Sequence, residues 1–340
     1  MLTNSHLTDN LIHINGRLKS HTGEGSEKKG PQAVWDELYH QLWQKAAQIY
    51  GWSVEHSKCE TGAIDTLKQL IQEIESDVLW SKVIESLRMG DELLFKVFMP
   101  REEYDILTNH PVRVTILSLK LGMGIKGYPE DELRKLGLAA LVHDLGLAGI
   151  PMSIMEKDTS LTDDEKKAIR SHPAIGKSYL SQLGKNYEWL STVCYQEHER
   201  ENGQGYPEGL AKGQIHLMAK IVGLMDTVEA MIHPRPWKKT LPPPEAIQSL
   251  LTTQRDFFSP HLVKALIREI SPFPPGSFVR LNSNEIGQAI RVNKRYPLRP
   301  DITIYFDSKA IPLEEPKNIQ LETNPILYIK GAVETDKIPL

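Results

Sequence analysis

The chain is poor in cysteine. Cys59 and Cys194 are the two it has in 340 residues. That excludes a disulfide framework and cysteine-ligated zinc, and it suits a reducing cytoplasm. Long apolar runs are also missing: nothing approaches the roughly 18–20 residues that a membrane-spanning helix needs. The opening stretch MLTNSHLTDNLIHINGR has no basic start followed by a continuous apolar core, so no signal peptide is expected. Nor is there an excess of positive charge. A formal net charge of -4 supplies no global field for a nucleic acid polymer. What these absences leave is a cytoplasmic protein with no membrane span. Its 40% hydrophobic and 25% charged residues are those of an ordinary globular chain. Its length allows two or three compact units.

Residues 1–30 are polar and rich in Ser, Thr, Gly and Lys, which reads as a flexible tail. From Pro31 the pattern is helical. Trp35, Leu38, Leu42, Ala46 and Tyr50 recur at steps of three and four, one face of an amphipathic helix. A second helix is expected from about Ala63, and a third through VLWSKVIESLRMGDELLFKVF. Further on, Pro111 suits the first turn of a helix, where a missing N–H costs nothing. Glu130, Asp131 and Glu132 open the next helix at its positive dipole end. Thr162 and Glu165 form a T-x-x-E capping box, and one helix is expected to run on from it through Leu183.

The chain is organised around LGLAALVHDLGLAGIP, residues 136–151. It sets His143 and Asp144 side by side at the end of an apolar helical run. Burying such a pair is costly unless something partners it. More polar groups then fall on apolar stripes: His172 with Ile169, Gly176 and Tyr179; Glu197 and His198 after Leu190 and Cys194; Asp226 with Met218, Val222 and Glu229. With His110 this makes seven candidate ligands: His110, His143, Asp144, His172, Glu197, His198 and Asp226. Polar residues at core positions of consecutive helices break the binary pattern, and such breaks mark functional sites. Helix bundles build metal sites in this way. Mixed imidazole and carboxylate donors suit iron, manganese or zinc better than calcium.

The ordered set HDLG, IP, LTDDE…HPAIG, EHERENGQGYPEGL and IHLMAKIVGLMDTVEAM resembles the HD-GYP domain, the bacterial HD phosphohydrolases associated with cyclic di-GMP hydrolysis. Beside a flexible tail over 1–30, an N-terminal helical module over 31–97 and a small β-rich subdomain of four or five strands over 273–340, all in a mainly α chain, the resemblance implies an all-α HD-type helix bundle over 98–272. It implies that His143 and Asp144 are catalytic, that Asp144 bridges two divalent metal ions, iron or manganese, and that His172 and His198 serve the second. Arg235 and Lys238 match residues that hold substrate phosphates. Gly205, Tyr206 and Pro207 match a loop proposed to contact diguanylate cyclase domains. The implied reaction opens cyclic di-GMP to pGpG or GMP through a hydroxide bridging two metals. A homodimer is left open.

Three positions depart from the family pattern. Glu197 stands where a histidine is usual, Leu147 where a lysine is usual, and Ile106 where members proposed to hold a third metal carry a glutamate. A site of at most two metals is expected. The first two departures sustain an alternative reading, a catalytically impaired HD-GYP protein that senses cyclic di-GMP or acts as an interaction scaffold. In the β-rich part, short β-branched runs fall at 278–281, 286–292, 302–306 and 326–329, separated by turn clusters. Arg291, Lys294, Arg295 and Arg299 make it locally basic.

Overall fold

A fully buried helix forms the centre of the molecule. In the computed structural model, which describes residues 31–56, 63–99, 107–235, 240–333 and 338, every residue from Asn109 to Gly122 is buried. Around it the chain runs α1 (Pro31–Glu55), α2 (Ala63–Glu75), α3 (Leu79–Met89), α4 (Glu92–Phe98), the central α5 (Asn109–Met123), α6 (Glu130–Val142), the short α7 (Met152–Met155), α8 (Asp163–Ile169), α9 (His172–Leu180), α10 (Glu188–Gln196), α11 (Leu217–Ile232), α12 (Pro243–Thr252) and α13 (Pro260–Glu269). A helix covered on all sides should be apolar all round, and α5 carries Val112, Val114, Ile116, Leu117, Leu119 and Leu121. Its two buried cations are paired. Arg113 meets Glu229 at 3.2 Å and Lys120 meets Asp91 at 2.7 Å.

The N-terminal helices share one hydrophobic core with the central bundle, extending from Leu38 to Ile270. The Ser53 hydroxyl on α1 donates to the carbonyl of Leu145, next to the His-Asp pair. Two expected helices are each broken in two. The run through 79–98 divides at Gly90, whose backbone is extended (φ -162°, ψ -172°). Asp91 after it is drawn to Lys120 and accepts from the Val292 N–H. The run from 163 to 183 divides at Arg170–Ser171 and ends in a short 3-10 turn, because Pro173 has no N–H to continue the ladder. The capping box at Thr162 and Glu165 forms with both of its bonds.

The C-terminal part is a five-stranded antiparallel sheet: β1 (Phe278–Leu281), β2 (Ile286–Arg291), β3 (Asp301–Phe306), β4 (Pro312–Gln320) and β5 (Ile329–Ala332), in the order β4-β3-β2-β1-β5. The last strand starts at Ile329, not at 326; Ile326 and Tyr328 are exposed. Strand β4 had no sequence signal. It is an exposed edge of sequence PLEEPKNIQ, and an edge strand with little to bury carries charge and proline instead of apolar alternation. Part of the basic cluster is structural. Arg299 donates to the carbonyls of Leu321, Asn324 and Leu327, and Lys294 pairs with Glu269. No helix among the described residues is long and apolar enough to cross a membrane. The tail over 1–30, Cys59, Ile106 and Lys238 lie outside the described residues.

Candidate metal centre

Glycines bring the ligand-bearing segments together. At Gly146 an added Cβ would lie 2.0 Å from the His172 carbonyl oxygen, and at Gly223 one would lie 1.9 Å from that of Glu197. Only glycine permits such approaches. The first docks the turn after His143 and Asp144 onto the start of α9. The second docks α11, one turn before Asp226, onto the end of α10. All seven candidate ligands thereby converge as two adjacent groups. One is His110, His143 and Asp226; the other is Asp144, His172, Glu197 and His198.

Asp144 stands between them. Its Oδ2 lies 3.3 Å from His110 Nε2 and 3.4 Å from His143 Nε2, and its Oδ1 lies 3.1 Å from His172 Nε2. His110 Nε2 is also 3.3 Å from Asp226 Oδ1. In the second group, Glu197 Oε1 is 3.2 Å from His172 Nε2 and 3.0 Å from His198 Nε2. The two facing Nε2 atoms of His172 and His198 are 3.1 Å apart.

The tautomers follow from the other ring nitrogens. His143 Nδ1 contacts the Ala140 carbonyl at 2.7 Å, and His172 Nδ1 contacts the Ile169 carbonyl at 2.7 Å. A carbonyl only accepts, so Nδ1 carries the proton and a neutral ring turns its Nε2 lone pair inward. His110 Nδ1 is likewise held by Glu229 at 2.5 Å. Lone pairs thus face carboxylate oxygens across buried space. His110 Nε2, His143 Nε2 and Glu197 Oε2 are buried with no hydrogen-bond partner. Such an arrangement needs positive charge at its centre. These residues fit a pair of divalent cations.

Protons supply that charge when metal does not. Burial opposes charging His172, yet Asp144 and Glu197 outweigh it and push its pKa up to about 10. His110 is raised as well, against burial, by Glu229, Asp144 and Asp226. His198 goes down, through burial and the neighbouring charge of His172. Burial raises Glu197 above the usual carboxylate range.

Several supporting residues carried no motif. Glu229 lies on the same face of α11 as Asp226 and holds both His110 and Arg113; its signal was an acidic residue on an otherwise apolar stripe. Second carboxylates of this kind fix ring orientation and raise ligand basicity. Glu229→Ala is therefore expected to weaken metal binding about 10–100-fold, measured by chelator competition, with all seven ligands intact. Glu199 is buried and accepts from the N–H groups of Glu208, Gly209 and Leu210, so it ties down the loop after Gly205-Tyr206-Pro207. That loop borders the metal ligands. The Tyr206 ring stacks on His198 with centroids 4.6 Å apart, and the Arg170 guanidinium lies over the Tyr206 ring, 5.3 Å from its centre. Pro207 is exposed. Arg235 reaches the rim, 3.9 Å from Asp226 Oδ1. Leu147 turns away into an apolar cluster with Ile150 and Met155.

Residues 98–262 match the HD domain, and residues 278–339 match the KOW domain associated with HD domain. A cyclic di-GMP phosphodiesterase of Pseudomonas aeruginosa is 32% identical over 251 residues, 73% of this chain and 58% of that protein. Another, from Borreliella burgdorferi, is 29% identical over 234 residues, 68% of this chain and 61% of its own. The chain thus spans about three fifths of the length of these two relatives. An HDG"Y"P protein from Bdellovibrio bacteriovorus has the same fold, with a TM-score of 0.54 and 17% identity over 78% of this chain and 80% of that one.

Proposed function

Residues 98–262 of this chain are an HD domain related to the HD-GYP cyclic di-GMP phosphodiesterases, and from that premise we propose that the chain is itself a metal-dependent phosphodiesterase hydrolysing cyclic di-GMP to pGpG or GMP. The observation that carries the reading is Asp144, whose two carboxylate oxygens face different groups of donors. Bound iron or manganese would act as a Lewis acid pair, making water acidic enough to yield hydroxide near neutral pH and offsetting charge on the phosphoryl oxygens.

The chain's own residues do the rest. His110, His143 and Asp226 would hold one cation, and His172, Glu197 and His198 the other, with the Asp144 carboxylate facing both groups. Glu229 and the Ala140 and Ile169 carbonyls fix the rings so that their lone pairs need no reorientation. Arg235, at the rim 3.9 Å from Asp226 Oδ1, would offset charge developing on a phosphate oxygen, and Lys238 is proposed to join it. Tyr206 and Arg170 form a flat, cationic wall beside His198 that suits a nucleotide.

Two features favour a second reading, a cyclic di-GMP sensor or scaffold with impaired chemistry. Leu147 replaces a cation with a side chain sunk in an apolar cluster, and Glu197 adds negative charge to the centre. A paired assay separates the two. Near two metal ions per chain, with pGpG or GMP formed on adding ferrous iron or manganese, is the expected result. Bound metal and bound cyclic di-GMP without product would establish the sensor. Absence of metal would overturn the site.

A further inference from the structure

At the far end of the two helices that carry His110 and Asp226 lies a second cavity, of about 490 Å³. Gly124, just past the end of α5, lines it, and so does Leu217, the first residue of α11. At 1.5 Å per residue, these positions are about 20 Å along α5 from His110 and about 13 Å along α11 from Asp226. The cavity is therefore separate from the metal centre.

Its lining is unusual for a chain of net charge -4. Lys126, Lys220, His261, Lys264 and Arg268 line it, and no acidic residue does. Two of these cations are engaged. Lys220 pairs with Glu201 at 2.8 Å, and Arg268 donates to the Gly124 carbonyl and pairs with Glu269. Lys126 and Lys264 are exposed and make no ion pair among the described residues. The N-termini of α11 and α13 border the same space; the His216 side chain caps the first by accepting from the Met218 N–H, and Ser259 ahead of the second makes no side-chain cap. Both helix ends add partial positive charge. Between the cations the wall is apolar, with Leu262 buried and Leu217 left 46% exposed.

We infer that this cavity is an anion site, independent of hydrolysis at the metal centre, for a small organic phosphate of nucleoside monophosphate size. The volume lies within the range of small-molecule sites, about 300–1,000 Å³. Lys126, Lys264 and the helix N-termini take the phosphate; Leu217 and Leu262 take the flat apolar body. An inorganic anion would leave that apolar wall unused.

GMP and inorganic phosphate, titrated into the full chain by calorimetry at constant ionic strength, test this. GMP binding is expected to persist in Asp144→Ala, to weaken at least tenfold in the double variant Lys126→Glu/Lys264→Glu, and to exceed phosphate binding at least tenfold. The lysine variants change exposed side chains, and an unchanged thermal melt confirms their fold. A weaker interaction in Leu217→Ser would add support. GMP binding that vanishes in Asp144→Ala but survives the lysine changes would overturn the inference. So would equal affinity for phosphate, or no binding at all.

Discussion

Asp144→Ala is expected to remove both metal ions and to reduce any cyclic di-GMP turnover by on the order of 1,000-fold, equivalent to about 4 kcal/mol of barrier. Asp226 lies 3.3 Å from His110 Nε2 but 3.8 Å from His198 Nδ1; Asp144 approaches both groups more closely. His110 and His143 lie on its Oδ2 side, and His172 on its Oδ1 side. Replacing an outer ligand removes a donor from one group; replacing Asp144 removes the carboxylate that faces both. Elemental analysis and product formation on the same preparation check this, and a variant that kept two metals would remove Asp144 from its bridging role.

The metal-free protein adds a pH signature. Asp144 is the chief counter-charge to His172, whose folded pKa is pushed up to about 10 from an ordinary value of 6.5. A raised histidine pKa contributes stability that is complete below the unfolded value and is lost as pH rises through the folded one. The carboxyl of Asp144 is held well below its ordinary 3.8 by His143 and His172, against the opposing effect of burial. Its contribution is present above that ordinary value and lost at lower pH. Wild type should therefore exceed the metal-free variant most in stability between about pH 4 and 6.5. The gap should close toward pH 10, as read by denaturant unfolding.

Gly223→Ala is expected to cost about 1–3 kcal/mol through overpacking and to lower metal affinity by moving the two groups of donors apart. The new methyl would meet the Glu197 carbonyl oxygen at 1.9 Å. Arg200 backs that carbonyl by donating to it and to the Glu199 carbonyl, while also reaching Thr227 on α11. The strand of chain between α10 and α11 thus has little room to yield. Relief requires α11 to move from α10, which carries Asp226 away from Glu197 and His198. Gly51 on α1 is the control, since nothing lies within 4 Å of a Cβ built there. Gly51→Ala should stabilise by about 0.4–1 kcal/mol, because alanine restricts the unfolded chain and suits a helix. Thermal melts of the two variants should move in opposite directions, and metal titration should weaken in Gly223→Ala alone.

Local patterns made much of the bundle readable. The stripes of α1, α2 and α6 follow from helical periodicity, and Thr162 with Glu165 marks the start of α8 without reference to any other part of the chain. The seven ligands were visible because polar residues interrupted apolar stripes. The HD and GYP motifs placed them in order. Even so, periodicity could not find the breaks at Gly90 and Ser171, since the apolar spacing continues across both. Strand β4 escaped for the opposite reason: its exposed face imposes no pattern.

What the sequence by itself determined is the inventory: which side chains can bind a cation, and on which helices. Tertiary structure alone decided how that inventory divides. Asp144 became the shared member, Glu229 the partner that orients His110 from 119 residues away, and Glu199 the anchor of the 208–210 turn. It also placed α1 against the His-Asp turn through Ser53 and Leu145, 92 residues apart. These relations depend on backbones meeting at Gly146 and Gly223. Spacing along a helix sets the direction of a side chain, but only the packing of one helix against another sets the distance between two.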